Sequence, residues 1–121
     1  MQKGGYDMNE IFVKSVYKSI VEDNKILYEN LFRNTNVDEV SDEYWVKSLK
    51  LYNSLSEENK EMLLTIIEQI MIDSISNMMG ILDGSSTLSE CDVEPKLYLN
   101  GVDTDGELQD LFLNFAEEIE S

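Results

Sequence analysis

The sequence contains no histidine, a single cysteine, Cys91, and a single proline, Pro95. Each absence removes a class of protein. One cysteine cannot close an intrachain disulfide, which excludes a small scaffold stapled by cross-links. Without histidine, that thiol lacks the usual partner of a catalytic dyad, and the many serines lack the usual base. There is no Gly-x-Ser-x-Gly elbow and no glycine-rich phosphate loop. Zinc sites built from Cys and His are excluded as well, and no cofactor is expected. Basic residues are also scarce: nine Lys and Arg stand against 25 Asp and Glu, a formal net charge of −16. Such a chain repels anionic membrane surfaces and does not bind nucleic acid directly, because phosphate contacts require Lys and Arg. No run of about 18 apolar residues occurs, so no membrane span is expected. Met1 to Asp7 lack an apolar segment, so no signal peptide is expected and the default location is the cytoplasm.

What is present suits one domain, residues 1–121, with an apolar fraction of 42% that supports one core. Self-repulsion works against compaction, so that core must be substantial. The charge is unevenly spread. Residues 1–60 hold 11 acids and 8 bases, a net of −3; residues 61–121 hold 14 acids and only Lys96, a net of −13. Asymmetry of this kind marks an interaction surface, with acidity for solubility alone as the simpler reading.

Residues 1–6, with Gly4-Gly5, read as a flexible tail. Asp7 and Glu10 have the spacing of a capping box. Met8, Ile11, Phe12, Val16, Ile20, Leu27, Leu31 and Phe32 then recur at helical steps, as one helix or as two broken near Asp23-Asn24. Asn34-Thr35-Asn36 ends that segment. Ser41, followed by Asp42 and Glu43, opens a helix carrying Tyr44, Trp45, Leu49 and Tyr52 and ending near Asn53, with Trp45 a core anchor. Ser56 opens the longest segment, about 56–83, with Leu63, Ile66, Ile67, Ile70, Ile75, Met78, Met79 and Leu82 on a wide apolar face that Met62, Leu64, Met71 and Ile72 broaden. Glu61, Thr65, Glu68, Gln69, Asp73, Ser76 and Asn77 form the narrow polar stripe, with Asp73 in solvent or, as the alternative, a buried carboxylate marking a site. A helix this apolar belongs at the centre of a bundle. It stops at Asp83-Gly84, where glycine can turn left-handed, and Gly80 either loosens the last turn or lets another backbone approach closely. Beyond the turn-like Ser85-Ser86-Thr87 and the acidic loop Glu90–Glu94, Lys96–Leu99 reads as a short strand, and Asn100-Gly101 as a hairpin turn. Thr104 and Glu107 suggest a second capping box, ahead of a last helix with Leu108, Leu111, Phe112, Phe115 and Ile119 inward. The fold class is therefore mainly α: a compact bundle of four to five helices around a long central one, with a short β-hairpin or extended insert before the last.

Two acidic constellations suggest metal chemistry. Asp103-Thr104-Asp105-Gly106 has part of a calcium loop, but placing Gly106 at position 6 puts Gly101 at position 1 and Phe112 at position 12, where ligands are obligatory. A turn leading into the last helix explains it better. Glu57-Glu58-x-x-Glu61 resembles the first half of the motif of the all-α nucleoside triphosphate pyrophosphatases, the MazG-like family, with Glu107-x-x-Asp110 for the second half. The resemblance implies a magnesium-dependent hydrolase in which acids on paired helices hold the metal against a triphosphate. The gap between the halves is far longer than the family uses and contains Pro95, and Glu57 and Glu58 are equally explained as acids at a helix N-terminus.

With no reaction centre, the acidic second half is the leading cue. It predicts a non-enzymatic protein that binds a basic macromolecular partner, most simply a basic protein. In size, charge and helicity it is similar to immunity proteins that plug basic nucleases and to protein mimics of nucleic acid. Asp83, Glu90, Asp92, Glu94, Asp103, Asp105, Glu107 and Asp110 would supply the steering field. The other readings are the pyrophosphatase-like hydrolase, with Glu57, Glu58, Glu61, Glu107 and Asp110 as metal ligands, and a structural or regulatory homodimer that buries the long helix.

Overall fold

The structure, a computed structural model, describes residues 5–86, 88 and 90–120. Val13, Tyr17 and Val21 follow one another at four-residue steps, and all three are buried. Such a series drifts around an ordinary helix, which turns once in 3.6 residues. The chain meets this with a wider turn: α1 (Gly5–Val16) runs unbroken through a π-helical stretch (Tyr17–Glu22) into α2 (Asp23–Asn34). The π stretch slows the drift and keeps the three side chains facing the core. Of the two sequence alternatives the continuous rod is correct, with its irregularity ending at Asp23. The rod is already helical at Gly5, so Asp7 lies inside the first turn and is not the cap. Of the expected tail, Gly5 and Tyr6 are helical and residues 1–4 lie outside the described residues.

Thr35 turns extended and ends α2 as expected. A short 3-10 turn (Val37–Glu39) follows, its Asp38 N–H donating to Asn36 Oδ1 at 2.9 Å. The next helix, α3 (Glu43–Asn53), is capped by Asp42 and not by Ser41: the Asp42 carboxylate accepts from Tyr44 N at 2.8 Å. The carboxylate also meets the positive end of the helix with a full charge, an advantage no hydroxyl has. The Ser56 hydroxyl caps the 27-residue α4 (Glu57–Asp83), accepting from Asn59 N at 3.1 Å. Gly84, at φ +82°, closes the far end, and the N–H groups of Ser85 and Ser86 both donate to Gly80 O. After the loop, β1 (Tyr98–Leu99) pairs antiparallel with β2 (Val102–Asp103) through Asn100-Gly101, both at positive φ. The hairpin is therefore present, and α5 (Leu108–Glu120) ends the fold.

The α1–α2 rod lies antiparallel to α4, since Arg33 reaches Glu57 at 3.4 Å and Lys25 reaches Glu68 at 3.3 Å. Two separate apolar nuclei form along this pair. In one, Val13, Tyr17 and Val21 pack with Ile72 and Met79 of α4 and with Leu108, Phe112 and Ala116 of α5. In the other, Phe32 and Leu64 pack with Leu49 and Tyr52 of α3, and the Phe32 and Tyr52 rings stack 4.8 Å apart. Trp45 stacks on Tyr28 at the edge of this second nucleus, half-buried. The two short helices thus cover opposite halves of α4.

That division corrects the expected face of the long helix. Ser76, assigned to the solvent stripe, is buried beneath α5, whereas Met62, Ile66, Ile70 and Met78 are exposed. Asp73 is exposed as expected, accepting from Gln69 at 2.9 Å. Among the described residues, no helix is long and apolar enough to cross a membrane.

Candidate acidic cleft at the end of the long helix

Where α4 ends, the chain must turn, pass through the insert and start α5 against the same helix. A helix start exposes backbone N–H groups that require acceptors. Asp83, the last residue of α4, supplies both: its carboxylate oxygens accept from Leu108 N at 3.1 Å and Gln109 N at 2.8 Å. The expected Thr104–Glu107 capping box is therefore not what caps α5. Thr104 is instead buried, and its hydroxyl and N–H both donate to Leu97 O at 3.2 Å, tying the hairpin to its own base. From α1, the buried Asn9 donates to Thr104 O at 3.0 Å and to Glu107 Oε2 at 3.2 Å. Nothing in the local spacing singles out Asn9, because its partners lie more than 90 residues away.

Gln109 fastens the other side of the junction. Its Nε2 donates to Ser76 O at 3.0 Å and to Ser76 Oγ at 3.2 Å. The amide lies across Gly80, where an added Cβ would stand 2.9 Å from Gln109 Oε1 and 2.9 Å from Ser86 Oγ. No backbone makes the close approach expected at Gly80 among the described residues; the side chains of Gln109 and Ser86 do. The reach of Gln109 also explains why Ser76 is buried: it is the acceptor facing that amide.

Between the α4 terminus and the insert lies a cleft of about 620 Å³. Asp83, Asp92, Glu94, Asp103 and Asp105 all line it, so five of the eight carboxylates expected to form the negative surface converge here. Leu82, Leu88, Val93 and Leu97 supply apolar wall. Glu90, at φ +58°, is exposed in the loop outside the lining; Glu107 stands at the α5 start beside Asn9; Asp110 is exposed in the first turn of α5. Asp105 and Gly106 both take positive φ, turning the chain sharply after β2. The Asp103 carboxylate accepts from Asp105 N at 2.9 Å and pairs with Lys96 at 3.4 Å. That backbone N–H, and then the Lys96 ammonium, hold Asp103 below the usual carboxylate range. Lys96 is the sole base of residues 61–121, and Asp103 already engages it.

The acids of the pyrophosphatase-like motif are not brought together in one chain. Glu57 and the rest of its first half sit at the N-terminus of α4, where Lys60 at 3.0 Å and then Arg33 hold Glu57 below its ordinary range. Glu107 and Asp110 lie at the opposite end of the same 27-residue helix, roughly 40 Å away at 1.5 Å per residue. Among the described residues, no three carboxylate or thiol side chains are grouped to hold a metal ion. Cys91 lies exposed on the cleft wall. Compared with known proteins, the chain matches no family model, no curated protein and no solved structure.

Proposed function

We propose that this protein is a non-enzymatic acidic interaction protein that docks a basic protein through the cleft between α4 and the hairpin. It would act in the manner of an immunity protein on a basic nuclease or of a nucleic-acid mimic. The observation that carries this reading is that five acidic residues line one concavity, whose one base among the described residues, Lys96, is already paired. Carboxylates beside apolar wall suit Lys and Arg, whose aliphatic stems pack on leucine and valine while their heads meet oxygen. The surrounding charge, −13 over residues 61–121, accelerates encounter with a positive surface.

The test is association with an arginine-rich peptide, followed at increasing NaCl concentration. Steering by this field predicts an association rate that falls by about tenfold or more between low and physiological salt. A rate indifferent to salt contradicts the proposal.

A further inference from the structure

The two short helices are held to α4 in different ways. α5 is tied by polar groups as well as by packing: Leu108 N and Gln109 N donate to Asp83, and the Gln109 side chain donates to Ser76. α3 has no such ties. Among the described residues, the hydrogen bonds and ion pairs of residues 36–55 all stay inside that segment, as in Tyr44 N to Asp42, Ser48 Oγ to Tyr44 O, Ser54 Oγ to Leu51 O and Lys47 to Glu43. Leu49 and Tyr52 seat α3 by packing on Phe32 and Leu64, with Trp45 stacked on Tyr28 and the Lys60 ammonium 5.0 Å over the Tyr52 ring. Beneath α3, the pairs Arg33–Glu57 and Lys25–Glu68 join α2 to α4 directly. We propose that residues 37–53 form a flap, which opens as a unit from the α2–α4 pair while α1, α4 and α5 stay folded.

The seat of α3 is small and imperfect. It has four buried side chains, against eight in the nucleus beneath α5, and a region with few buried apolar contacts opens at lower free energy than the whole. Tyr52 is 1% exposed, yet its hydroxyl has no hydrogen-bond partner among the described residues. A buried donor left unpaired weakens the closed state, because it loses the water that solvates it when exposed. Between α2 and α3 lies a pocket of about 200 Å³ lined by Leu31, Thr35, Val40, Trp45 and Leu49, where packing contacts are missing. Thr35 and Asn36 at one end, and Ser54 and Leu55 at the other, are non-helical and serve as hinges. Opening uncovers Phe32 and Leu64 and carries Trp45 into water. α3 unwinds as it leaves, since an 11-residue helix is marginal without tertiary packing. No residue of 37–53 but Val40 and the α3 side chains borders that pocket, and none lines the acidic cleft, so opening leaves the cleft intact.

Trp45 is the sole tryptophan, so its fluorescence reads the flap, whereas far-ultraviolet dichroism reads all the helices together. Urea titration of the full chain, followed by both signals, is the test. The fluorescence midpoint is expected below the dichroism midpoint by about 0.5 M or more. Tyr52→Phe keeps the ring and removes the unpaired hydroxyl. It should raise the fluorescence midpoint, leave the main dichroism midpoint in place and so narrow the gap. Hydrogen exchange in water should show amides in the middle of α3 exchanging about tenfold faster or more than those in the middle of α5. Coincident transitions in the wild type overturn the proposal, as does equal protection of the two helices or a Tyr52→Phe variant that leaves the gap unchanged.

Discussion

Single side chains hold the junction beneath the cleft, and Asp83 does most there. Its carboxylate receives two backbone N–H groups that α5 cannot satisfy itself. Asp83→Ala should therefore lower stability by about 1–2 kcal/mol, the range for a lost helix cap, in urea unfolding followed by dichroism. No change would mean that water caps α5 equally well. The Gly80–Gln109 contact predicts a change of sign. Alanine gains about 1 kcal/mol over glycine in a helix interior. At Gly80 that gain is offset, because the new methyl displaces Gln109 from Ser76 and forfeits hydrogen bonds worth about 1 kcal/mol each. Gly80→Ala should thus be neutral or destabilising in the wild type. It should stabilise in a Gln109→Ala background, where nothing needs to be displaced but Ser86. Equal effects in both backgrounds would refute the coupling.

Among the elements, those with local causes are the ones legible in the sequence. The Ser56 cap, the left-handed Gly84, the Asn100-Gly101 turn and the ends of α2 and α3 follow from chemistry within a few residues. Distant partners decided the remainder. Thr104 and Glu107 have capping-box spacing, yet Thr104 is drawn to Leu97 and the cap comes from Asp83. Ser76 reads as solvent-facing until Gln109 reaches it from the last helix. For the cleft, charge accumulation in the second half was visible, but its convergence depends on how the hairpin folds back over Asp83. The π stretch has its own consequence. Tyr17 packs against Phe112 and Phe115, and burial, then the charges of Glu68, Glu120 and Glu22, raise its pKa above 10.0. The unfolded chain ionises this phenol at the ordinary value and the folded chain only at higher pH. The associated stability is therefore complete below about pH 10 and is lost as pH rises through the raised value. Urea unfolding from pH 8 to 11 should show that loss, and Tyr17→Phe should lessen it. An identical decline in the variant would assign the loss to other groups.

On the scale of the whole molecule, shape and charge follow one plan. Two short helices, α3 and α5, cover opposite halves of α4, so the long central helix serves as the spine of two small nuclei. One end of that spine carries Lys60 and Arg33 among its acids; the other carries the carboxylate cleft with its one paired lysine. The measurement that bears most directly on the proposed function asks whether position, and not total charge, governs the binding of a basic ligand. Affinity for the arginine-rich peptide is compared for two triple variants that remove the same charge. One is Asp92→Asn, Glu94→Gln and Asp105→Asn in the cleft; the other is Glu58→Gln, Glu61→Gln and Asp73→Asn along α4. Docking in the cleft predicts that the first variant loses affinity by about tenfold or more, at ~1 kcal/mol or less for each charge, while the second stays near wild type. Equal losses in the two variants would contradict it, leaving the acidity a property of the surface as a whole.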